Sequence, residues 1–205
     1  MGIKNKSGFV IGISSVSGGG KTAVARKLTQ LLQNAVMLAF DDYDETTVHP
    51  EDLNAWFSAG ADYNSWKTPG LTSDLLSLTT GNHITSPVDG SSIQPAKYIV
   101  FDAPLGLAHS DTGKFIDLMV FIDTPLDIAM ARRLLRDIIT HTRQGAEDSI
   151  KSLNAHLSSY LNGGQLLFLE LENQIKSNCD IVLDWRLTVD ELAASIRRRV
   201  KTITA

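Results

Sequence analysis

The sequence predicts an α/β fold, a five-stranded parallel sheet with helices on both faces, and three observations predict it. An opening apolar run from Phe9 is followed by four more, AVMLAF (35–40), KYIVFD (97–102), DLMVFID (117–123) and CDIVLD (179–184). Continuous rather than alternating apolar character suits strands buried on both faces, the habit of a parallel sheet covered by helices. Helical spacing fills the segments between several of them, and a cluster of glycines joins the first strand to the first helix.

Taken in order, the stretch FVIGISSVSGGGKTAVARKL (9–28) runs from strand through glycines into a helix whose stripe is Val24, Leu28, Leu31 and Leu32. After the second strand the alternation lapses. Turn chemistry at TPG (68–70), TGN (80–82) and SPVDGSS (86–92) marks residues of about 44–96 as a substrate-handling insertion, with short helices near 51–58 and 71–79. After the fourth strand, Thr124 and Pro125 read as N-cap and first-turn proline of a helix whose Ile128, Ala131, Leu134, Leu135 and Ile138 face the sheet. The last helix opens with a capping box from Thr188 to Glu191 and buries Leu192, Ile196 and Val200. No repeat or low-complexity tract divides the 205 residues, so one domain over 1–205 is expected.

Composition narrows the function classes. The chain is 43% hydrophobic and 20% charged, with a formal net charge of -4, which argues against a general nucleic-acid or anionic-membrane binder. The basic run Arg197, Arg198, Arg199 and Lys201 suits the C-terminal end of a helix. Cys179 is the single cysteine, and its apolar setting reads as an inert thiol with no disulfide. The N-terminus lacks an apolar export core, Lys6 stands where a myristoylation pattern wants Ser or Thr, and no run is long enough to span a bilayer. A cytoplasmic protein without a membrane partner is expected, and a homo-oligomer stays open.

The glycines carry the chemistry. Several backbone N–H groups converge on a phosphate most readily where side chains are absent, and Gly18, Gly19 and Gly20 provide that just before a helix N-terminus. Lys21 would reach the β- and γ-phosphates, and the Thr22 hydroxyl would ligate Mg²⁺. Ser17 to Ala23 is therefore the candidate nucleotide-binding run. The strict phosphate-loop pattern G-x-x-x-x-G-K-[ST] is incomplete, because Ser15 holds the first glycine position and Gly12 comes too early. No Asn-Lys-x-Asp or Thr-Lys-x-Asp follows a later strand, so ATP rather than GTP is the expected nucleotide.

Acids at strand ends complete the candidate set, since ligands of a parallel sheet lie outside its carboxyl edge. Asp41 and Asp42 follow the second strand, and Asp102 ends the third run. Asp41 suits the group that orients or deprotonates an acceptor hydroxyl, and Asp102 suits the metal carboxylate. Arg132, Arg133, Arg136 and Arg143 lie in ARRLLRDIITHTRQG (131–145), a candidate lid of about 132–147 whose guanidinium groups would stabilise charge on a moving phosphoryl group.

With those residues assembled, the chain resembles the phosphoribulokinase/uridine kinase family of P-loop kinases, nicotinamide riboside kinases included. Family members look like GISG-x-x-x-SGKT, then QD-[SD]-[FY]-[FY], a strand ending EG, and FVD…RR…RD. The counterparts here are GISSVSGGGKT, FDDYD, FDA and FIDTPLDIAMARRLLRD. The resemblance covers most of the chain and implies the P-loop kinase sheet order 2-3-1-4-5 and ATP-dependent transfer to a hydroxyl of a nucleoside, sugar or related metabolite. It makes Asp41 the acceptor-activating acid, Lys21 and Thr22 the phosphate and Mg²⁺ residues, and Asp102 the equivalent of an acidic metal residue. Arg132, Arg133 and Arg136 match arginines leading into the family's lid, and Arg143 falls within it.

The departures are local. Asp102-Ala103 replaces Glu-Gly, Asp44 stands where uridine kinases carry an aromatic, and YNSWKTP (63–69) lacks their Asp-His-Pro. These departures weigh against uridine itself as the acceptor, within a uridine kinase-like activity. Beside Asp41 and Asp42, the candidate acceptor contacts are Tyr43, Tyr63, Trp66 and Lys67. A rival reading is a regulatory module that binds ATP without transferring phosphate.

Overall fold

The computed structural model of the chain describes residues 6–141 and 146–204. Five strands, β1 (Phe9–Ser14), β2 (Ala35–Ala39), β3 (Tyr98–Asp102), β4 (Leu118–Asp123) and β5 (Ile181–Asp184), form one sheet. Counted over these five alone, their spatial order is β2-β3-β1-β4-β5, and every neighbouring pair is parallel. A separate antiparallel pair, Ile84–Thr85 with Ser92–Ile93, lies outside this count.

The alternation of side chains along β1 divides the core. Val10 faces one apolar cluster, with Leu38 of β2 and Ile99 and Phe101 of β3. Ile11 and Ile13 face the other, with Val100, Val120 and Ile122. On that second face lie helix α1 (Lys21–Leu31), through Val24 and Leu28, and the last helix, through Leu192, Ile196 and Val200. The capping box is formed as the sequence implies: Thr188 N donates to Glu191 Oε2 at 2.8 Å and Glu191 N donates to Thr188 Oγ1 at 3.3 Å.

The first face is covered from within residues 44–96. Beyond the short helix α2 (Leu53–Ser58), helix α3 (Pro69–Thr79) buries Leu71, Leu75 and Leu78 completely among the strands' side chains. This segment is thus part of the core as well as a connection. Truncating one such leucine to alanine would cost about 2–5 kcal/mol. After β3 comes a one-turn helix, α4 (Ser110–Gly113), and after β4 comes α5 (Leu126–His141).

Helix α5 departs from the sequence expectation. Among its described side chains, Ala129 is buried next to the glycine loop, while Ala131 is exposed and Leu135 is 62% exposed. The stripe expected to cover the sheet does not do so, because the helix meets the loop through Ala129 and pairs with α6 (Ala146–Ser159). The side chain of Ile138 and the whole of Arg143 lie outside the described residues. Thr124 is also not the cap: the first helical bond runs from Ala129 N to Pro125 O at 2.9 Å, so Thr124 stands one residue outside. Helices α6 and α7 (Gln165–Lys176), joined by a π-type turn at Tyr160–Gly164, were not expected from the sequence. Helix α8 (Val189–Ile203) closes the chain, and among the described residues no helix is long and apolar enough to cross a membrane.

One buried histidine ties the 44–96 segment to α4. His109 is fully buried, its Nε2 lies 3.0 Å from Trp66 O and its Nδ1 lies 2.8 Å from Thr112 Oγ1. A carbonyl only accepts, so Nε2 carries the proton and Nδ1 accepts from the threonine hydroxyl. Burial pushes the imidazole pKa below its usual 6.5, more strongly than the bond to Trp66 raises it. The neutral ring is the folded form, so its contribution is present above the unfolded pKa and is lost as pH falls through the depressed folded value. Thermal melts between about pH 7.5 and about pH 5.5 are expected to show falling stability, and His109→Gln to start lower but lose less over the interval. Equal pH slopes for both proteins would remove His109 from this role.

Candidate active site

The loop between β1 and α1 is built around one steric exchange. Ser15 is buried, and its Oγ donates to Ile122 O on β4 at 2.7 Å. A Cβ on Gly19 would fall 1.8 Å from that Oγ, so these two positions hold one side chain between them. In the pattern GISG-x-x-x-SGKT the first of the two is glycine and the second is serine. Here the pair is reversed, which gives the missing phosphate-loop glycine a physical account.

Further contacts fix the loop. Thr124 Oγ1, outside the helix, donates to Gly19 O at 3.0 Å, and Gly19 N donates to Val16 O at 2.8 Å. Gly18 has φ +88°, and a Cβ there would lie 2.3 Å from Ala129 O of α5. Only glycine accepts both that backbone and that approach. Gly20 caps α1 in the left-handed region, leaving the first N–H groups of the helix at the mouth of the site, where an anion is favoured.

The strand-end acids converge on the lysine and threonine that follow. Register places Ala39 of β2 and Ile13 of β1 beside Asp102 of β3. Asp102 is 3% exposed, and Thr22 Oγ1 donates to its Oδ2 at 2.5 Å, while its Oδ1 is buried without a partner. Burial raises the Asp102 pKa, with Asp41 and Asp42 adding to the rise, and Lys21 and the Thr22 bond opposing it. An orphaned buried carboxylate oxygen beside a hydroxyl fits Mg²⁺, which takes few protein ligands and keeps water and phosphate oxygens. Asp42 is exposed; desolvation raises its pKa first and Asp41 second, while Arg26 lowers it.

Lys21 and Asp41 open on one cavity of about 270 Å³ together with Ser15 and Ser17 of the loop. Its far walls are Trp56, Tyr63 and Trp66 from the 44–96 segment and Leu167, Phe168 and Ile175 from α7. Of the expected acceptor contacts, the structure brings Asp41, Tyr63 and Trp66 to this cavity. Tyr43 and Lys67 are elsewhere: Tyr43 is 4% exposed in the core with its hydroxyl donating to Asp74 Oδ2 at 2.7 Å, and Lys67 Nζ donates to Asn64 O at 2.6 Å. Burial, then the Asp74 bond, raises the Tyr43 pKa.

Two of the arginines approach the loop. The Arg132 guanidinium lies 5.8 Å from the Trp185 ring centroid with Nη1 near Gly20, and Arg133 lies 5.1 Å from the Phe168 ring with its Cγ against Gly18. Arg136 is exposed on the same helix. Sequence reasoning missed Trp56 and the α7 wall, although QLLFLELENQI (165–175) has the apolar spacing of a half-buried helix. It also missed Glu172, which lines the cavity and whose pKa is raised chiefly by burial against the pull of Lys176.

A model of the phosphoribulokinase / uridine kinase family matches residues 10–162. A uridine kinase of Brevibacillus brevis is 26% identical over 191 residues, covering 85% of this chain and 83% of that protein. A uridine kinase of Leuconostoc citreum is 31% identical over 153 residues, covering 67% and 71%. A solved structure described as a possible uridine kinase from Bacillus stearothermophilus superposes with a TM-score of 0.48 at 20% identity, over 89% of this chain and 91% of that one.

The Ser15 and Gly19 exchange is expected to be coupled. Gly19→Ser alone should weaken ATP binding by about tenfold or more, and Ser15→Gly in the same chain should recover most of that loss, a coupling of about 0.5–3 kcal/mol. Calorimetric titration with ATP of the two single variants and the double variant measures it. Additive losses would mean that the two side chains do not compete for one space.

Proposed function

The chain belongs to the phosphoribulokinase / uridine kinase family, and from that premise we propose that it is an ATP-dependent kinase transferring the γ-phosphoryl group to an alcohol of a small molecule. The observation that carries the reading is the shared cavity: the glycine loop with Lys21 forms one wall, Asp41 stands at its edge, and aromatic side chains close the far side. A phosphate donor and a hydroxyl acceptor would thereby meet within reach of one carboxylate. Bringing two reactants into such contact is a large part of what catalysis of phosphoryl transfer requires.

In this reading each residue has a limited task. Backbone N–H groups of residues 18 and 20–22 and the α1 dipole hold the phosphates, and the Lys21 ammonium adds positive charge at their outer end. Asp41 accepts the proton of the acceptor hydroxyl or a hydrogen bond from it, aligning the oxygen for in-line attack. Thr22 and Asp102 would hold Mg²⁺, which when bound neutralises charge on the phosphate oxygens. Arg132 and Arg133 flank the loop at Gly20 and Gly18, and with Arg136 they form the proposed source of cationic charge over the transferred group. Arg143 completes that lid in the proposal.

Support for an acceptor of nucleoside, sugar or related type comes from the family and from the relatives, which are named for uridine. The departures at Asp44 and at residues 63–69 keep uridine as one probe among several. Purified protein with Mg·ATP is expected to release ADP above its acceptor-free rate with at least one alcohol in a panel of nucleosides, sugars and ring alcohols. Asp41→Asn is expected to lower that rate by about 10²–10⁴-fold while ATP binding persists. ATP binding with no acceptor-dependent turnover, unchanged in the variant, would favour the regulatory module.

A further inference from the structure

We propose that a second cavity, at the edge of the sheet opposite the glycine loop, binds a small phosphate ester through Lys97, Arg197 and Lys201. The loop and its acids take the carboxyl edge of the strands. This cavity, of about 560 Å³, takes the amino edge, where Tyr98 begins β3 and where α1 and α8 end beside each other.

Two elements bring three cations to it. Arg197 and Lys201 stand one turn apart on α8, and Lys97 precedes β3. Among the described residues lining the cavity there is no acid. Where acids stand within reach the chain does pair its cations: Lys27 lies 2.5 Å from Asp190 on the seam between α1 and α8, Lys176 lies 2.7 Å from Asp123 and Arg186 lies 2.8 Å from Asp184. Among the described residues, Lys97, Arg197 and Lys201 are in no ion pair. The Lys97 ammonium is 5.2 Å from the Tyr98 ring centroid, and Tyr98 Oη lies 3.1 Å from Thr204 Oγ1. The bond to Thr204 first, then Lys97 and Lys201, hold the Tyr98 pKa below its usual 10 against the effect of burial, so both ammonium groups act at one point of the cavity.

Basic side chains at helix C-termini ordinarily offset the helix dipole, but the sum here does not cancel. Each helix end carries about half a negative charge, so the ends of α1 and α8 supply about one against three cations. The surplus is about two positive charges, in a chain whose formal net charge is -4. A phosphate monoester carries about 1.5 to 2 negative charges at neutral pH and has three strong acceptor oxygens, which matches the surplus and the number of cations. A carboxylate would leave positive charge over. Nucleic acid and anionic membrane present extended arrays of charge, whereas these cations converge on a cavity. Leu31, Leu32 and the Tyr98 ring line the same cavity and offer the ester's carbon body an apolar surface that free phosphate would not use.

Isothermal titration with phenyl phosphate, inorganic phosphate and benzoate tests this on the wild type, on Lys97→Gln and Lys201→Gln, and on Lys21→Met, which weakens the glycine loop. Phenyl phosphate is expected to bind saturably, about fivefold or more tighter than inorganic phosphate, with benzoate the weakest. That binding should persist in Lys21→Met and fall about tenfold in each of the other two variants, whose affinity for ATP stays that of the wild type. Thermal melts with the same probes give a second reading that does not depend on the heat of binding. Phenyl phosphate binding that is lost in Lys21→Met and kept in Lys97→Gln and Lys201→Gln belongs to the loop and overturns the inference. So does an absence of saturable heat with an unmoved melting temperature. Inorganic phosphate bound as tightly as phenyl phosphate overturns the ester as the occupant. None of these readouts involves phosphoryl transfer, so the kinase reading stands or falls on its own assay.

Discussion

Two hydrogen bonds clamp the glycine loop to the end of β4, Ser15 Oγ to Ile122 O and Thr124 Oγ1 to Gly19 O, and the rest of the site takes its position from that clamp. A loop of bare backbone is entropically costly to order. Here the order comes from side chains that the neighbouring strand fixes. Ser15 fills the volume that a side chain at Gly19 would need, and Gly18 lets the α5 backbone come against the loop. Loop, α1 and α5 are thereby set relative to one another before any phosphate arrives, which is the preorganisation that electrostatic stabilisation depends on.

The sheet supplies the second constraint. Parallel strands end on one edge, and the register that aligns Ala39, Asp102 and Ile13 brings the acids following β2 and ending β3 to the loop that follows β1. Asp102 is held there at a cost. Its burial, its unpaired Oδ1 and its raised pKa describe a carboxylate that the fold alone does not satisfy. A cation beside Thr22 would satisfy it, and strain of this sort is what a functional site retains against stability.

Much of this was legible in the chain. The five apolar runs became the five strands because continuous burial on two faces leaves an unmistakable pattern, and the capping box at Thr188 formed because its two reciprocal bonds are local. Tertiary facts were harder to see. Thr124 has the chemistry of a cap, but the helix starts one residue later and its hydroxyl goes to Gly19 instead. Tyr43 follows two acids as a ligand contact might, but its ring is core and its hydroxyl serves Asp74. Leu135 has helical spacing with Ile128 and Ala131 but is exposed, because α5 is applied to the loop rather than to the sheet. Helix α7 was missed although its apolar spacing was present, and it supplies Leu167, Phe168 and Ile175 to the cavity. Distance in sequence, not weakness of signal, hid that half of the wall.

The central claim is that the clamped loop and Lys21 are the seat of the nucleotide's phosphates. Isothermal titration of wild-type and Lys21→Met protein with ATP and with AMP, each in the presence of Mg²⁺, tests it most directly. The account predicts one ATP site in the wild type, binding of AMP weaker by about tenfold or more, and an ATP affinity in the variant reduced to near that of AMP. Equal affinities for ATP and AMP, or ATP binding that is unchanged in Lys21→Met, would contradict it.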